Sequence, residues 1–310
     1  MNNVVSISSV YKGFGKVEAL KEISFEVQKG ELFGVIGPDG AGKTTLFRIL
    51  NTLLIPDAGK ATVLGLDVVD DYKKIRPQLG YMPGKFSLYQ DLTVEENMNF
   101  FASVFGTTIE ANYELVKPIY GQLEKFKNRL AGDLSGGMKQ KLALSCALIH
   151  KPELLLLDEP TTGVDAVSRK EFWEMLKMLK SEGITIIVST PYMDEADLCD
   201  RVALIQEGEI MQIDTPYAIV ESFRKPLLGV KASNKYKLLK ALQRYDKAYS
   251  VHPFGEYIHY TEKGDSVDTA ALKAYLTDQG IQDIDIEKIK PDIEDSFMEL
   301  MHSQGEANHA

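Results

Sequence analysis

The nine residues GPDGAGKTT, 37–45, constrain this chain more than any other stretch. They follow an apolar run, ELFGVIG (31–37), and precede TTLFRILNTLL, whose apolar spacing predicts a helix that stops near Pro56. Gly37, Gly42, Lys43 and Thr44 satisfy GxxxxGK[ST], with Pro38, Asp39, Gly40, Ala41 and Thr45 completing the loop. Glycines at these positions let backbone N–H groups turn inward around phosphate oxygens, and the following helix adds the positive end of its dipole. Lys43 is expected to reach β- and γ-phosphates, and the Thr44 hydroxyl to ligate Mg²⁺. A turn that merely reverses the backbone is the plainer reading, and the strand–loop–helix context argues against it.

Two further apolar runs, ELLLLD (153–158) and ITIIVS (184–189), flank the helical stretch RKEFWEMLKMLKSEG. Strand, helix and strand at this spacing predict a parallel sheet with right-handed crossovers. The first strand delivers Asp158 to its end, where the carboxylate can support Mg²⁺ through water, and the adjacent Glu159 can polarise an attacking water. Taken alone, two acids after an apolar strand suit a solvated loop equally well. LSGGMKQKLALSCALIH (134–150) reads as an amphipathic helix opened by Ser135, Gly136 and Gly137. A hydroxyl and bare amides there form either a second anion site or an ordinary helix start.

The remainder divides by pattern. From Val4 to Val27, alternating segments predict antiparallel strands joined by GFGK, and residues 92–150 have helical periodicity with a capping pattern from Thr93 to Glu96. RVALIQEGEIMQ (201–212) predicts a hairpin turning at Glu207 and Gly208. Composition shifts near 225, giving domains 1–224 and 225–310. The tail reads βαββαβ plus one helix, a small α+β ferredoxin-like domain. Its His252 and His259 suit ordinary polar positions on neighbouring strands better than a metal site.

With 35 Lys and Arg against 45 Asp and Glu, the net charge of −10 opposes a nucleic-acid partner. Cys146 and Cys199 stand in no CxxC pattern, so neither a disulfide framework nor a zinc site is implied. The N-terminal residues lack the basic start and apolar stretch of a secretory leader, and no window reaches 18 apolar residues. The expected place is the cytoplasm, with attachment to a membrane through other proteins.

In this order and spacing the motifs resemble the ATP-binding subunits of ABC transporters over about residues 4–220. GPDGAGKTT is similar to the Walker A loop, LSGGMKQ to the family signature, LLLLDEP to Walker B, and TTGVDAVSR to the D-loop with Asp165. The resemblance implies a P-loop NTPase fold of mixed sheet with a helical subdomain, ATP and Mg²⁺ as ligands, and Glu159 as catalytic base. It also implies that Phe14, 29 residues before Lys43, stacks on adenine, although a hairpin core position is the alternative. Family members pair head to tail, so Ser135, Gly136 and Gly137 are expected to act on the nucleotide of a second ATP-binding subunit. LGYMPGKFSLYQDLTVEEN, STPYMDEADLCDR and PDIEDSFMELM further resemble the ABC-2 type export branch, including multidrug exporters. That branch works beneath a membrane permease. The groove after Gly84, with Phe86, Leu88, Tyr89, Phe100 and Phe101, is the expected dock, with core packing as the alternative.

Two positions depart from the family pattern. The residue after GYMP is usually Gln and here is Gly84; the residue after ITIIVST is usually His and here is Pro191. None of the five histidines lies near 191, and Gln90 is six residues past Gly84. Proline offers neither an imidazole nor an N–H, and losing one preorganised transition-state contact commonly costs about 2.7–4 kcal/mol. Three readings follow: a transport ATPase working as a homodimer in which Glu159 and bound water suffice; the same chain in an asymmetric pair, holding ATP and hydrolysing it slowly while its LSGGM completes another subunit's site; or a nucleotide-gated module that barely hydrolyses. Soluble relatives acting on ribosomes or DNA fit less well, since this chain has a single cassette and no sustained heptads.

Overall fold

The computed structural model describes residues 3–309, with side chains to residue 303. The chain divides into two compact units at Pro216 and Tyr217, rather than at the 224/225 composition shift. The difference is the short helix Pro216–Ser222, almost all of which belongs to the second unit.

In the first unit, β1 (Asn3–Phe14) and β2 (Val17–Gln28) pair antiparallel around a tight turn, and β3 (Leu32–Ile36) follows, buried at all five positions. Helix α1 (Lys43–Leu50) is shorter than the apolar spacing suggests. The chain leaves it at Asn51, and Thr52 takes a left-handed backbone with φ 58°, so the TLL segment is not helical. β4 (Ala58–Val63) and β5 (Leu66–Asp67) complete a four-stranded antiparallel sheet of order β2-β1-β4-β5. Helix α2 (Tyr72–Ile75) leads into β6 (Leu79–Met82). These last three strands escape a sequence reading, because AGKATV, LD and LGYM are short and carry glycine or charge where a strand pattern needs apolar residues.

The helical stretch contains α3 (Val94–Val104), α4 (Tyr113–Tyr120) and α5 (Gly136–Leu148). The capping box at α3 forms as the spacing predicts: Thr93 Oγ1 accepts from Glu96 N at 3.2 Å, and Thr93 N donates to Glu96 Oε2 at 2.8 Å. Helix α5 is not amphipathic as its sequence suggested. Leu144 through Leu148 are all buried, because α3, α4 and β6 all pack against this helix.

β7 (Leu154–Asp158), α6 (Ala166–Ser181), β8 (Thr185–Thr190), β9 (Arg201–Gln206) and β10 (Glu209–Asp214) finish the unit. The main sheet has six strands in the order β10-β9-β3-β8-β7-β6, parallel throughout except for the antiparallel β10. Both faces are covered, so β3, β7 and β8 carry unbroken apolar runs. The core beneath the site includes Phe33 stacked on Phe25, with ring centroids 5.2 Å apart.

The second unit begins with α7 (Pro216–Ser222), followed by β11 (Leu228–Lys231), α8 (Lys235–Gln243), β12 (Ala248–Phe254), β13 (Tyr257–Glu262), α9 (Thr269–Asp278), β14 (Asp285–Lys288) and α10 (Ile293–His309). Its antiparallel sheet has the order β12-β13-β11-β14, the ferredoxin-like strand order. Leu228, Val230, Ile258 and Tyr260 of the sheet pack with Leu238 and Leu242 of α8 and Leu272 and Leu276 of α9. On α10, buried Asp295 meets buried His259 of β13, Oδ1 to Nδ1, at 2.6 Å.

Candidate nucleotide site

Parallel strands deliver their C-terminal ends to one edge of a sheet, and register decides which residues meet there. Ile36 pairs with Thr190, Asp158 with Ser189, and Met82 with Leu157. The loop after β3, the acids ending β7, the exit of β8 and the loop after β6 therefore converge. Gly37 N donates to Thr190 O at 3.3 Å, which fixes the first loop residue beside the position where Pro191 begins.

The loop needs its glycines for distinct reasons. A Cβ at Gly37 would lie 2.1 Å from the Ile205 carbonyl oxygen, so another strand's backbone occupies that space. Gly40 and Gly42 take φ of 82° and 104°, and Gly42 caps α1 with no side-chain hydrogen bond. The first amides of α1 thus face the loop rather than a capping side chain. Pro38 is half-buried, Asp39 and Gly40 are exposed, Ala41 is buried, and Thr45 lines the cavity described below.

Lys43 is 3 % exposed, a burial that an ammonium tolerates only when its donors are satisfied. Its Nζ lies 2.7 Å from Gly37 O, 2.9 Å from Pro38 O and 3.1 Å from Glu159 Oε1, matching three donors to three acceptors. Thr44 Oγ1 donates to Asp158 Oδ1 at 3.2 Å, and Ser189 Oγ donates to the same oxygen at 2.7 Å. Ser189 Oγ also accepts from Glu159 N at 3.0 Å. Glu159 itself has φ 49°, a left-handed backbone that costs a non-glycine residue roughly 1–2 kcal/mol. The Ser189 contacts hold that conformation in place.

A hydroxyl and a carboxylate in contact at a loop–helix junction are hard oxygen donors, the set that suits Mg²⁺. Beside them opens a cavity of about 890 Å³, lined by Gly40, Gly42, Lys43, Thr44, Thr45 and Glu159 on one side. Tyr11, Gly13, Gly15 and Val17 of the β1–β2 hairpin line the other. Phe14, between those glycines, is 48 % exposed, which removes the hairpin-core alternative. Lys12 Nζ lies 5.7 Å from the centre of its ring.

The two departures sit in this constellation. A Cβ at Gly84 would lie 3.1 Å from Asp158 O and 3.7 Å from Glu159 Cβ, so position 84 borders both acids. Pro191 is half-buried, one residue past the Thr190 carbonyl that holds Gly37. Neither offers a side-chain donor.

The signature segment belongs to the same unit and does not line that cavity. Ser135 caps α5 by accepting from Met138 N at 3.4 Å, and Ser135 and Gly136 are exposed. A Cβ at Gly137 would stand 2.6 Å from Ser168 Oγ, so only glycine lets α5 start this close to α6. Asp165 caps α6, its Oδ1 accepting from Val167 N at 3.1 Å and Ser168 N at 3.0 Å. The start of α5 and the cap of α6 thus pack together as one platform.

The aromatic stretch splits between core and surface. Leu88 is 7 % exposed, while Tyr89 and Phe100 are 50 % and 38 % exposed. Tyr89 meets Phe100 edge-on at 4.8 Å, Phe100 meets Phe101 at 5.4 Å, and Lys139 Nζ lies 5.5 Å from the Phe86 ring centre. Leu53, Leu88, Phe101, Val104 and Cys146 help line an apolar cavity of about 400 Å³.

Sequence reasoning overlooked Ser189, which touches both acids, and the buried Glu195, which joins Thr161 to Thr190. A polar residue within an all-buried strand is a usable signal for Ser189. Glu195 sits in a polar DEAD run and gives none.

A family model described as ABC transporter matches residues 20–162. A probable multidrug ABC transporter ATP-binding protein of Escherichia coli is 38 % identical over 308 residues; the match spans 97 % of this chain and 53 % of the relative, so the chain covers about half that protein's length. A Nod factor export ATP-binding protein of Burkholderia lata is 41 % identical over 70 % of this chain and 73 % of its own length. Among solved structures, a cassette of Clostridium perfringens that is part of an ABC transporter complex superposes with TM-score 0.64 at 25 % identity, covering 71 % of this chain and 92 % of that one. A dimeric ATP-binding cassette in a post-hydrolysis state, bound to ADP and phosphate, gives TM-score 0.62 at 26 % identity over 68 % of this chain and 98 % of the other. Together with the strand order and the residues gathered at its edge, these likenesses place the chain in the ABC transporter family, as an ATP-binding protein.

Proposed function

We propose that this chain is the ATP-binding and hydrolysing subunit of an ABC-2 type membrane exporter. ATP binding, closure against a second ATP-binding subunit and slow hydrolysis drive export through separate permease subunits. The observation that carries the reading is the assembly of Lys43, Thr44, Asp158 and Glu159 within hydrogen-bonding reach, bordered by Gly84 and Pro191, which contribute no donor. Relatives named for multidrug and Nod factor export support the direction of transport.

In this reading the loop amides and Lys43 hold the β- and γ-phosphates, and Phe14 stacks on adenine. Phosphate oxygens replace Glu159 as the third acceptor of Lys43, which frees the Glu159 carboxylate to take a proton from the attacking water. Thr44 and, through water, Asp158 would hold Mg²⁺, which neutralises charge on the phosphates. Family members take two further contacts from Gln and His, so two missing donors slow the step; such groups act as a unit and their losses do not add. In this reading the permease docks at the aromatic stretch after Gly84, beside the apolar cavity edged by Phe101 and Val104, and the protein sits on the inner face of the membrane. Among the described residues no helix is long and apolar enough to cross a membrane.

The test is steady-state MgATP hydrolysis by the purified chain beside Glu159→Gln, with nucleotide binding measured separately. Turnover that disappears in Glu159→Gln supports the motor; tight binding with no Glu159-dependent turnover moves the role to the asymmetric pair. The missing donors at Gly84 and Pro191, beside a signature exposed at Ser135 and Gly136, favour that second reading. In a mixed complex it predicts a greater loss from Ser135→Arg than from Lys43→Ala.

A further inference from the structure

Glu195 is 1 % exposed, and every hydrogen bond to its carboxylate comes from a segment bordering the nucleotide edge or the D-loop. Its Oε2 accepts from Thr161 Oγ1 at 3.0 Å and from Thr190 Oγ1 at 2.5 Å. Its Oε1 accepts from Arg169 Nε at 3.1 Å. Thr161 lies two residues after Glu159, Arg169 in the first turn of α6, and Thr190 at the end of β8. The same guanidinium reaches Asp194 at 3.2 Å and stacks over Tyr192, 4.1 Å from its ring centre. Tyr192 N in turn donates to Thr190 Oγ1 at 3.1 Å. The turn containing Pro191 is thereby folded around one partly buried ion pair.

We infer that Glu195 is a positioning residue: it clasps both ends of the D-loop, Thr161 and Arg169, to the end of β8, and so fixes the Asp165–signature platform for action on a partner's nucleotide. The inference rests on the paired-cassette reading above. The mechanical path is short. Arg169 follows Ser168, against which Gly137 of the signature packs, and Asp165 caps the same first turn. Gly163, inside the clasped segment, has its carbonyl oxygen 3.6 Å from the Cβ position of Gly136. A D-loop held at both ends holds the start of α5 with it. The β8 exit therefore keeps a purpose although residue 191 has no imidazole. It anchors the surface offered to the other subunit, while Lys43 Nζ takes its own acceptors from Gly37, Pro38 and Glu159.

The experiment compares the full chain with Glu195→Gln, Arg169→Gln and the double variant, each also carrying Glu159→Gln so that bound ATP persists. Three quantities are read: MgATP affinity at dilute protein, ATP-dependent self-association, and amide hydrogen exchange over residues 161–169. The carboxamide keeps the side-chain volume and the threonine contacts but loses the ionic partner of Arg169. The expected result is exchange faster by about tenfold in 161–169, weaker ATP-driven association, unchanged MgATP affinity and no additional loss in the double variant. Unchanged exchange in 161–169 overturns the clasp. So does an equal loss of MgATP affinity or of loop protection at 37–45, which marks a general stability role. If the parent chain fails to bind MgATP, the functional reading fails, and the exchange comparison still judges the clasp by itself.

Discussion

Two regions flank the acids at the end of β7, and they are furnished differently. On the loop side, Lys43 Nζ has three acceptors within 3.1 Å, Thr44 touches Asp158, and glycines sit where φ is positive or a neighbour's backbone leaves no room. On the far side, Gly84 brings backbone to the same acids, Pro191 follows the Thr190 carbonyl that holds Gly37, and neither supplies a side-chain donor. In the proposed function this difference separates holding a nucleotide from turning it over. The first depends on amides and a lysine at a helix N-terminus. The second depends on donors that reach the reacting phosphate from two other strands.

The most damaging way to probe that contrast is from the furnished side. Lys43→Ala removes the charge that opposes the phosphates and leaves Glu159 without its partner. MgATP affinity is expected to fall by about a hundredfold or more, checked by titration of the purified chain. Refurnishing the bare side is the converse. Pro191→His is expected to raise turnover by about ten- to a hundredfold with MgATP affinity changed little, read as kcat against KM. Gly84→Gln should add less, because its Cβ must settle 3.1 Å from Asp158 O. If neither raises the rate, the missing donors do not limit turnover and the two sides are not separable.

A smaller effect concerns the helical subdomain, which stands outside the contrast. Thr93→Ala breaks the capping box at α3 and is expected to cost about 1 kcal/mol of stability, seen as a lowered denaturation midpoint with MgATP affinity unchanged.

The subtlest test uses pH. Burial lowers the pKa of His150 and of His252 below the ordinary 6.5, with His302 and His259 adding to the effect on His252. The unfolded chain then binds more protons than the folded one just below pH 6.5. The stability from these two groups is full above that pH and is lost as pH falls through the lowered folded values. Thermal denaturation between pH 7.5 and 5.5 should show the decline. Neither histidine borders the nucleotide cavity, so MgATP affinity is expected to follow pH only through unfolding, whereas Pro191→His should add a titrating limb to turnover.

Much of the loop side was legible because its requirements are local. Gly40 and Gly42 are glycines because their φ is positive, Lys43 and Thr44 open the helix that the loop feeds, and each fact lies within a few residues of the next. Glu159 and the signature helix start were legible for the same reason. Less visible were the end of α1 at Leu50, the four-residue β6 and the all-round burial of the C-terminal half of α5, where tertiary packing outweighs apolar spacing.

The sequence by itself determined the phosphate loop, the strands β3, β7 and β8 that frame it, the order of elements in the second unit, and the residue types at positions 84 and 191, since each is written in contiguous residues. Only the tertiary structure decided that Gly84 borders Asp158, that Ser189 braces both acids, and that Glu195 joins the D-loop to the exit of β8. The physical reason is register. Ile36 meets Thr190 and Asp158 meets Ser189 across a parallel sheet, and pairings between residues so far apart in the chain follow from packing the whole sheet between its covering layers.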